Sequence, residues 1–299
     1  MNNNINYIEY LTEKSKYVDS ILPYAIDCAC GAPDEIKEPM KYSLLAGGKR
    51  LRPVILKETA GLFGRDDKSV DVLAQAIEMI HTSSLIHDDL PAMDNDDYRR
   101  GRKTCHIVYG EAIAILAGDA LLNYANEIMI KESLVTGDMK ILKAAEVISR
   151  STGLRNMIGG QTLDVLYENS DKQCEELLYT IHEKKTAALL KAAMLAGAYA
   201  AGASNEECDI IDKYASCIGL TFQITDDILD VISDKETLGK TPGKDMSVGK
   251  LTFVSLYGID KARELVDIYT KEAIEAIRKI NADTGFFVWL AEYISGRKF

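Results

Sequence analysis

The stretch VLAQAIEMIHTSSLIHDDLPAMD, residues 72–94, decides how this chain folds. Its apolar positions Leu73, Ile77 and Ile80 recur at helical spacing and run on to Ser84 and Asp88, so one helix face leads into a line of carboxylates. Pro91 then interrupts the helix. Asp88 and Asp94 are six residues apart and do not stack on a regular helix, but a distorted end around Pro91 allows Asp94 to turn back toward Asp88. The plain alternative is that Asp94-Asn95-Asp96-Asp97 is a solvated, capped helix terminus.

A second acidic cluster stands in FQITDDILD, residues 222–230, where Asp226, Asp227 and Asp230 share one face of a helix. Carboxylates so placed repel one another unless something positive fills the space. Hard divalent cations prefer oxygen ligands and join carboxylates to substrate phosphates. Basic residues accompany the clusters: Lys49, Arg50 and Arg52 in GGKRLRP, residues 47–53, then Arg99 and Arg100, and later Lys185-Thr186 and Lys240. Arginine grips phosphate with two donors, whereas lysine acts as a mobile point charge. Each of these charges taken singly reads as an ordinary solvated side chain; together they suggest a diphosphate held by metal ions. His81 suits a phosphate hydrogen bond, and His87 suits orienting the neighbouring carboxylate. No side chain presents itself as a general base, and neither a Gly-x-Ser-x-Gly elbow nor a Walker-type loop is present. The chemistry therefore reads as metal-driven, with charge neutralised on a departing diphosphate.

Working outward, no proline falls between Pro91 and Pro242, which leaves room for a succession of uninterrupted helices. Helices are expected from about Ile113 through Ile130, from Gly137-Asp138 to Ile148, over Lys184 to Ala201, over Ile218 to Ile232, and as an amphipathic pair at 261–281 and 284–296. Ser233 to Gly249, with Gly239, Pro242, Gly243 and Gly249, reads as a loop. Alternating β-branched runs are scarce. The expected fold class is all-α: a single domain over 1–299, with long helices bundled around a deep central cavity.

The charge balance, 35 − 46 = −11, argues against a nucleic-acid surface. Six cysteines fit neither a zinc pattern nor a thioredoxin-like pair, and are expected to be buried, inert thiols. The polar start has no signal-peptide character, and the apolar segments near 112–122 and 187–202 fall short of a clean membrane span, so a cytoplasmic protein without stable membrane insertion is expected.

In order and combination, GGKRLRP at 47–53, HDDLPAMDNDDYRRG at 87–101, GEAIAILAGDALL at 110–122, GGQTLDV at 159–165, KKTAALL at 184–190, FQITDDILD at 222–230 and GK at 239–240 closely resemble the trans-isoprenyl diphosphate synthases. The resemblance covers almost the whole chain. It implies magnesium, on the order of three ions per site with manganese as a substitute, held chiefly by Asp88, Asp94 and Asp226 and supported by Asp89, Asp227 and Asp230. It implies that Arg99, Lys185, Thr186, Gln223 and Lys240 hold an allylic diphosphate, while Lys49, Arg52, His81 and Arg100 hold isopentenyl diphosphate. Asp88, Asp94, Asp226 and Lys185 form the catalytic set in this reading. The allylic substrate ionises, the isopentenyl double bond attacks, and the departed diphosphate takes the proton. A homodimer is implied as well.

Chain length is read at Ser83, five residues before Asp88 and about 7.5 Å deeper along the helix. Many short-chain bacterial farnesyl synthases carry a bulky aromatic there. A hydroxymethyl group leaves room for a longer chain, so geranylgeranyl diphosphate is the expected product, with farnesyl diphosphate as the alternative. A terpene cyclase and a non-catalytic prenyl-diphosphate-binding subunit are the more distant alternatives. The second Asp-Asp-x-x-Asp in place of an Asn/Ser/Glu-type metal motif speaks against the cyclase.

Overall fold

The helices that start at Tyr7, Lys68 and Phe253 open on a side-chain cap, from Asn6, Asp67 and Thr252, and the one that ends at Thr136 stops on a left-handed glycine. The computed structural model describes residues 5–168, 170, 172–232 and 250–297. By contacts it forms two compact units, Met1–Glu146 with Tyr199–Ala201, and Val147–Ala198 with Gly202–Phe299.

The first unit holds α1 (Tyr7–Asp27), α2 (Asp34–Leu44), α3 (Leu51–Leu62), α4 (Lys68–Asp88), a two-stranded antiparallel hairpin of β1 (Tyr98–Arg99) and β2 (Arg102–Lys103), α5 (Cys105–Tyr109) and α6 (Glu111–Thr136). Asp67 caps α4, accepting from the N–H groups of Ser69 and Val70 at 3.0 and 3.2 Å. The apolar stripe of α4 is core: Leu73, Ile77 and Ile80 are fully buried, each contributing about 1.5–3 kcal/mol relative to exposure. α6 packs along α4 on a strip of small residues, Ala114, Ala117, Gly118 and Ala125, and stops at Gly137, whose φ of 64° only glycine adopts freely.

α6 runs well past the segment weighed in the sequence and is, by length and composition, apolar enough to cross a bilayer. One side of it is buried in its unit, and the other leaves Ile115, Leu116, Ile130, Leu134 and Val135 exposed.

α7 (Met139–Thr152) leads into the second unit, which contains α8 (Met157–Tyr167), α9 (Glu175–His182), a π-helical turn Glu183–Ala187, most of α10 (Ala188–Ala201), α11 (Asn205–Ile232), α12 (Phe253–Tyr257), α13 (Ile259–Ile277) and α14 (Gly285–Ser295). α13 lies along α11, and Leu178, Ile224, Ile228, Phe253 and Val266 share one buried cluster.

The all-α class holds, and most expected helices are present with extended ends. The exception is the single helix expected over Lys184 to Ala201, which opens with the π turn instead. The loop expected at 233–249 lies outside the described residues. The cysteines also differ from expectation. Cys105, Cys208 and Cys217 are buried, but Cys28, Cys30 and Cys174 are exposed because they sit in turns or at a helix start rather than on core-facing stripes.

Candidate active site

In the first unit, the chain beyond α4 curls back on its own backbone. Asp94 donates its N–H to the Asp88 carbonyl at 2.8 Å, Asn95 donates to Leu90 at 3.1 Å and Asp96 to Asp89 at 3.2 Å. Asn95 accepts a left-handed φ of 52° at the tightest point. Asp94 is thereby returned to the end of the helix that carries Asp88, as the Pro91 argument expected. Asp89 points elsewhere. It is buried, and its Oδ1 accepts from Arg99 Nε at 2.7 Å and Nη2 at 2.6 Å. Burial raises the Asp89 pKa, and the Arg99 charge counteracts that shift.

The positive groups of this unit gather around the loop before α3. Arg52 lies in the first turn of α3 and donates from Nη1 toward His81 Nε2 on α4 at 3.4 Å. Desolvation, followed by the charges of Arg52, Arg100 and Arg99, pushes the His81 pKa well below its usual value. A neutral ring accepting at Nε2 keeps its proton at Nδ1. Lys49 is exposed, and Arg100 occupies the hairpin turn with its guanidinium against the Gly47 carbonyl. Lys49, Arg52, His81, Arg99 and Arg100 thus belong to one unit and lie on connected elements. His87 sits over Gly118: its Nε2 is 3.2 Å from the Ile115 carbonyl and 3.6 Å from Asp119. A methyl group at Gly118 would meet that nitrogen at 2.2 Å. This contact seats the end of α4, beside Asp88, on α6. Ser83 is buried on α4.

In the second unit, Asp226, Asp227 and Asp230 lie on regular helix in the last two turns of α11. Asp227 is buried, and its carboxylate is engaged on both oxygens. Oδ1 accepts from Gln223 Nε2 and Oδ2 from the Phe253 N–H, each at 2.8 Å. The other end of Gln223 accepts from Thr186 Oγ1 at 2.8 Å, so Thr186, Gln223 and Asp227 form one hydrogen-bonded chain. Thr186 and Lys185 project from the π turn, a distortion found often at functional sites. Lys185 Nζ binds Asp164 at 2.5 Å. Gly160 makes the close approach possible, because a Cβ there would lie 2.4 Å from the Lys185 backbone nitrogen.

Lys240 lies outside the described residues. The structure adds four residues that the sequence reading left without a role. Asp164 is the Lys185 partner. Arg297 donates to Asp226 Oδ1 at 2.8 Å with its guanidinium over the Phe222 ring. Phe253 supplies the N–H to Asp227, and buried His182 stacks on that ring. Asp164 was visible inside GGQTLDV; the other three carry no local motif.

A family model of polyprenyl synthetases matches residues 33–283. A geranylgeranyl diphosphate synthase of Cyanophora paradoxa is 42% identical over 98% of this chain and 97% of its own length. A chloroplastic geranylgeranyl pyrophosphate synthase of Capsicum annuum is 41% identical over 98% of this chain and 79% of its own. Among solved structures, an FPP/GFPP synthase of Zymomonas mobilis superposes with a TM-score of 0.85 at 32% identity, covering 97% of this chain and 99% of that one. The chain belongs to the polyprenyl synthetase family. It is a prenyltransferase with the all-α isoprenoid synthase fold.

The described residues contain no group of three or more His, Cys, Asp or Glu that could hold a metal ion by themselves. Magnesium does not require one, since it keeps several waters and commonly binds through one or two carboxylates plus substrate phosphates. The oxygen donors of Asp88 and Asp94, brought back to one helix end, fit that chemistry.

Proposed function

We propose that this chain is a magnesium-dependent, short-chain trans-prenyltransferase that extends dimethylallyl, geranyl and farnesyl diphosphates with isopentenyl diphosphate to geranylgeranyl diphosphate. The observation carrying the product length is Ser83, small and buried on α4 below Asp88. The names of the Cyanophora and Capsicum relatives support the same length. The family model runs through both compact units, which supports reading the chain as one catalytic domain.

Bound magnesium would neutralise the allylic diphosphate as its carbon–oxygen bond breaks. Asp88, Asp94 and Asp226 are the proposed principal ligands, with Asp89, Asp227 and Asp230 in support. Arg99 and Asp227 hold their neighbours in place as well: Arg99 neutralises buried Asp89, and Asp227 ties Gln223 to α12. Lys185, Thr186, Gln223 and Lys240 are proposed for the allylic diphosphate, with Arg99. Lys49, Arg52, His81 and Arg100 are proposed for isopentenyl diphosphate. The same reading makes the protein a cytoplasmic homodimer, a second copy covering the apolar side of α6 that its own unit leaves exposed.

Incubation with isopentenyl diphosphate and each primer, followed by chromatography of the dephosphorylated products, tests the assignment. The expected main product has twenty carbons. Accumulation at fifteen carbons favours the second reading, farnesyl diphosphate, which the name of the Zymomonas structure supports. Turnover of an allylic diphosphate without use of the five-carbon donor makes it a cyclase, and no turnover at all a binding subunit. Ser83→Tyr should shift products toward fifteen carbons with the first condensation intact, because extra bulk in a closed pocket costs about 1–3 kcal/mol. Unchanged product ratios would remove Ser83 as the floor. Light scattering on the purified protein reads the dimer.

A further inference from the structure

The loop GGKR at 47–50 is held in a backbone conformation that its sequence alone disfavours. Gly47, Gly48 and Arg50 have φ of 83, 123 and 47°. Two of these are glycines, for which such angles are ordinary, but an arginine in the left-handed region is strained unless its surroundings hold it there.

They do so through its side chain. Arg50 is 2% exposed, and all three of its guanidinium nitrogens are bonded inward. Nε donates to Asp19 at 2.8 Å, Nη1 to Glu78 at 2.7 Å, and Nη2 to the Leu44 carbonyl at 2.8 Å. Glu78 is itself 2% exposed on α4, and Leu44 is the last residue of α2, whose carbonyl has no partner within its helix. One guanidinium thus joins α1, α2 and α4 beneath the loop. The backbone is pinned separately. Ser15 Oγ donates to the Lys49 carbonyl at 2.8 Å, and Arg100 donates to the Gly47 carbonyl with its guanidinium against Gly48.

We propose that Arg50 is a positioning residue for the donor substrate: it does not touch isopentenyl diphosphate, but clamps the loop so that Lys49 and Arg52 on either side of it are aimed before the diphosphate arrives. This rests on the assignment of Lys49 and Arg52 to that diphosphate. The chemistry of the clamp requires arginine, because a lysine head cannot present a planar fork to three fixed acceptors on three helices. Preformed aim matters because misplacement of about 1 Å at a binding group has large kinetic consequences.

The test uses the full chain with Arg50→Lys, Glu78→Gln, Asp19→Asn and, as a direct-ligand control, Arg52→Ala. Folding is checked by circular dichroism, and KM is measured for each substrate with the other saturating. Glu78→Gln and Arg50→Lys should each raise KM for isopentenyl diphosphate about tenfold while allylic KM and kcat stay unchanged. The double variant should be no worse than the worse single one. Asp19→Asn, which touches a half-exposed acceptor and leaves the buried pair intact, should show the same selectivity at smaller size, and it covers the case in which a core variant fails to fold. The clamp is overturned if Arg50→Lys raises KM while both acid variants leave it alone, since Arg50 would then be a ligand itself. It is equally overturned if all parameters fall together with the folded fraction. An unchanged KM in Arg52→Ala removes the donor-site assignment, and the clamp with it.

Discussion

The two acidic clusters look alike as strings of aspartate, yet they are held by different means. The first is shaped by backbone. Three main-chain hydrogen bonds and a left-handed Asn95 curl the chain past Pro91 and bring Asp94 to Asp88. The second rides on regular helix and is held by Gln223 one turn earlier on α11 and, from elsewhere in its unit, by the Phe253 N–H on Asp227 and Arg297 on Asp226. A cluster made by local backbone is legible in its own motif and should tolerate change in its surroundings. A cluster made by distant partners should be sensitive to residues that belong to no motif.

The largest expected effect ignores that distinction. Asp88→Ala and Asp226→Ala should each lower turnover by about 10²–10³ while leaving the protein folded, as expected when charge stabilisation at the reacting diphosphate is lost. Steady-state rates on variants with native circular dichroism decide it, and near-normal turnover in either cancels that ligand assignment.

The next effect belongs to the second cluster alone. His182 is buried against Phe253, and burial lowers its pKa to about 4. Between pH 6.5 and 4 the unfolded chain binds a proton that the folded chain refuses, so stability is lost as pH falls through that window, by about 3 kcal/mol at most, and is flat for this group above it. Denaturant melts at pH 5 and 7.5 should show that difference shrinking in His182→Gln; an identical pH slope would mean the histidine is not held neutral.

Glycine substitution sets the two regions side by side. Gly160→Ala drives a methyl group into the Lys185 backbone, which cannot swing away, whereas Gly118→Ala meets the His87 ring, which can rotate. Gly160→Ala should cost about 1–3 kcal/mol and disturb the π turn, with Gly118→Ala the milder of the two. Thermal midpoints in the reverse order would contradict the contrast. The smallest effect tests the backbone origin of the first cluster. Asn95→Gly should be neutral and Asn95→Ala should cost about 1 kcal/mol, because glycine has no Cβ to strain whereas alanine keeps the left-handed Cβ and loses the short polar side chain that lets asparagine tolerate it. Equal stability in both would show that Asn95 is not what holds the turn.

Much of this was open to inspection before any coordinates. The helical stripe through Leu73, Ile77 and Ile80, the return of Asp94 to Asp88, and the shared face of Asp226, Asp227 and Asp230 all follow from periodicity and proline chemistry, which act over a few residues. The same reasoning placed Arg50 among three equivalent cations and drew Lys184 to Ala201 as one helix. Arg50 is instead buried beneath its loop, and the π turn interrupts the helix where Lys185 and Thr186 face their partners.

What the amino-acid sequence determined by itself is the class of the fold, the family, and which residue types come in which order, because helical period, turn chemistry and motif spacing are local properties. Tertiary structure alone decided which of those residues are ligand candidates and which are struts. Whether a guanidinium or a carboxylate is open to a substrate depends on what other segments bring to it: Asp19 and Glu78 to Arg50, Asp164 to Lys185, Phe253 to Asp227. Those pairings span sequence separations over which no periodicity carries, and burial fixes them by making an unpaired charge too costly to leave in the core.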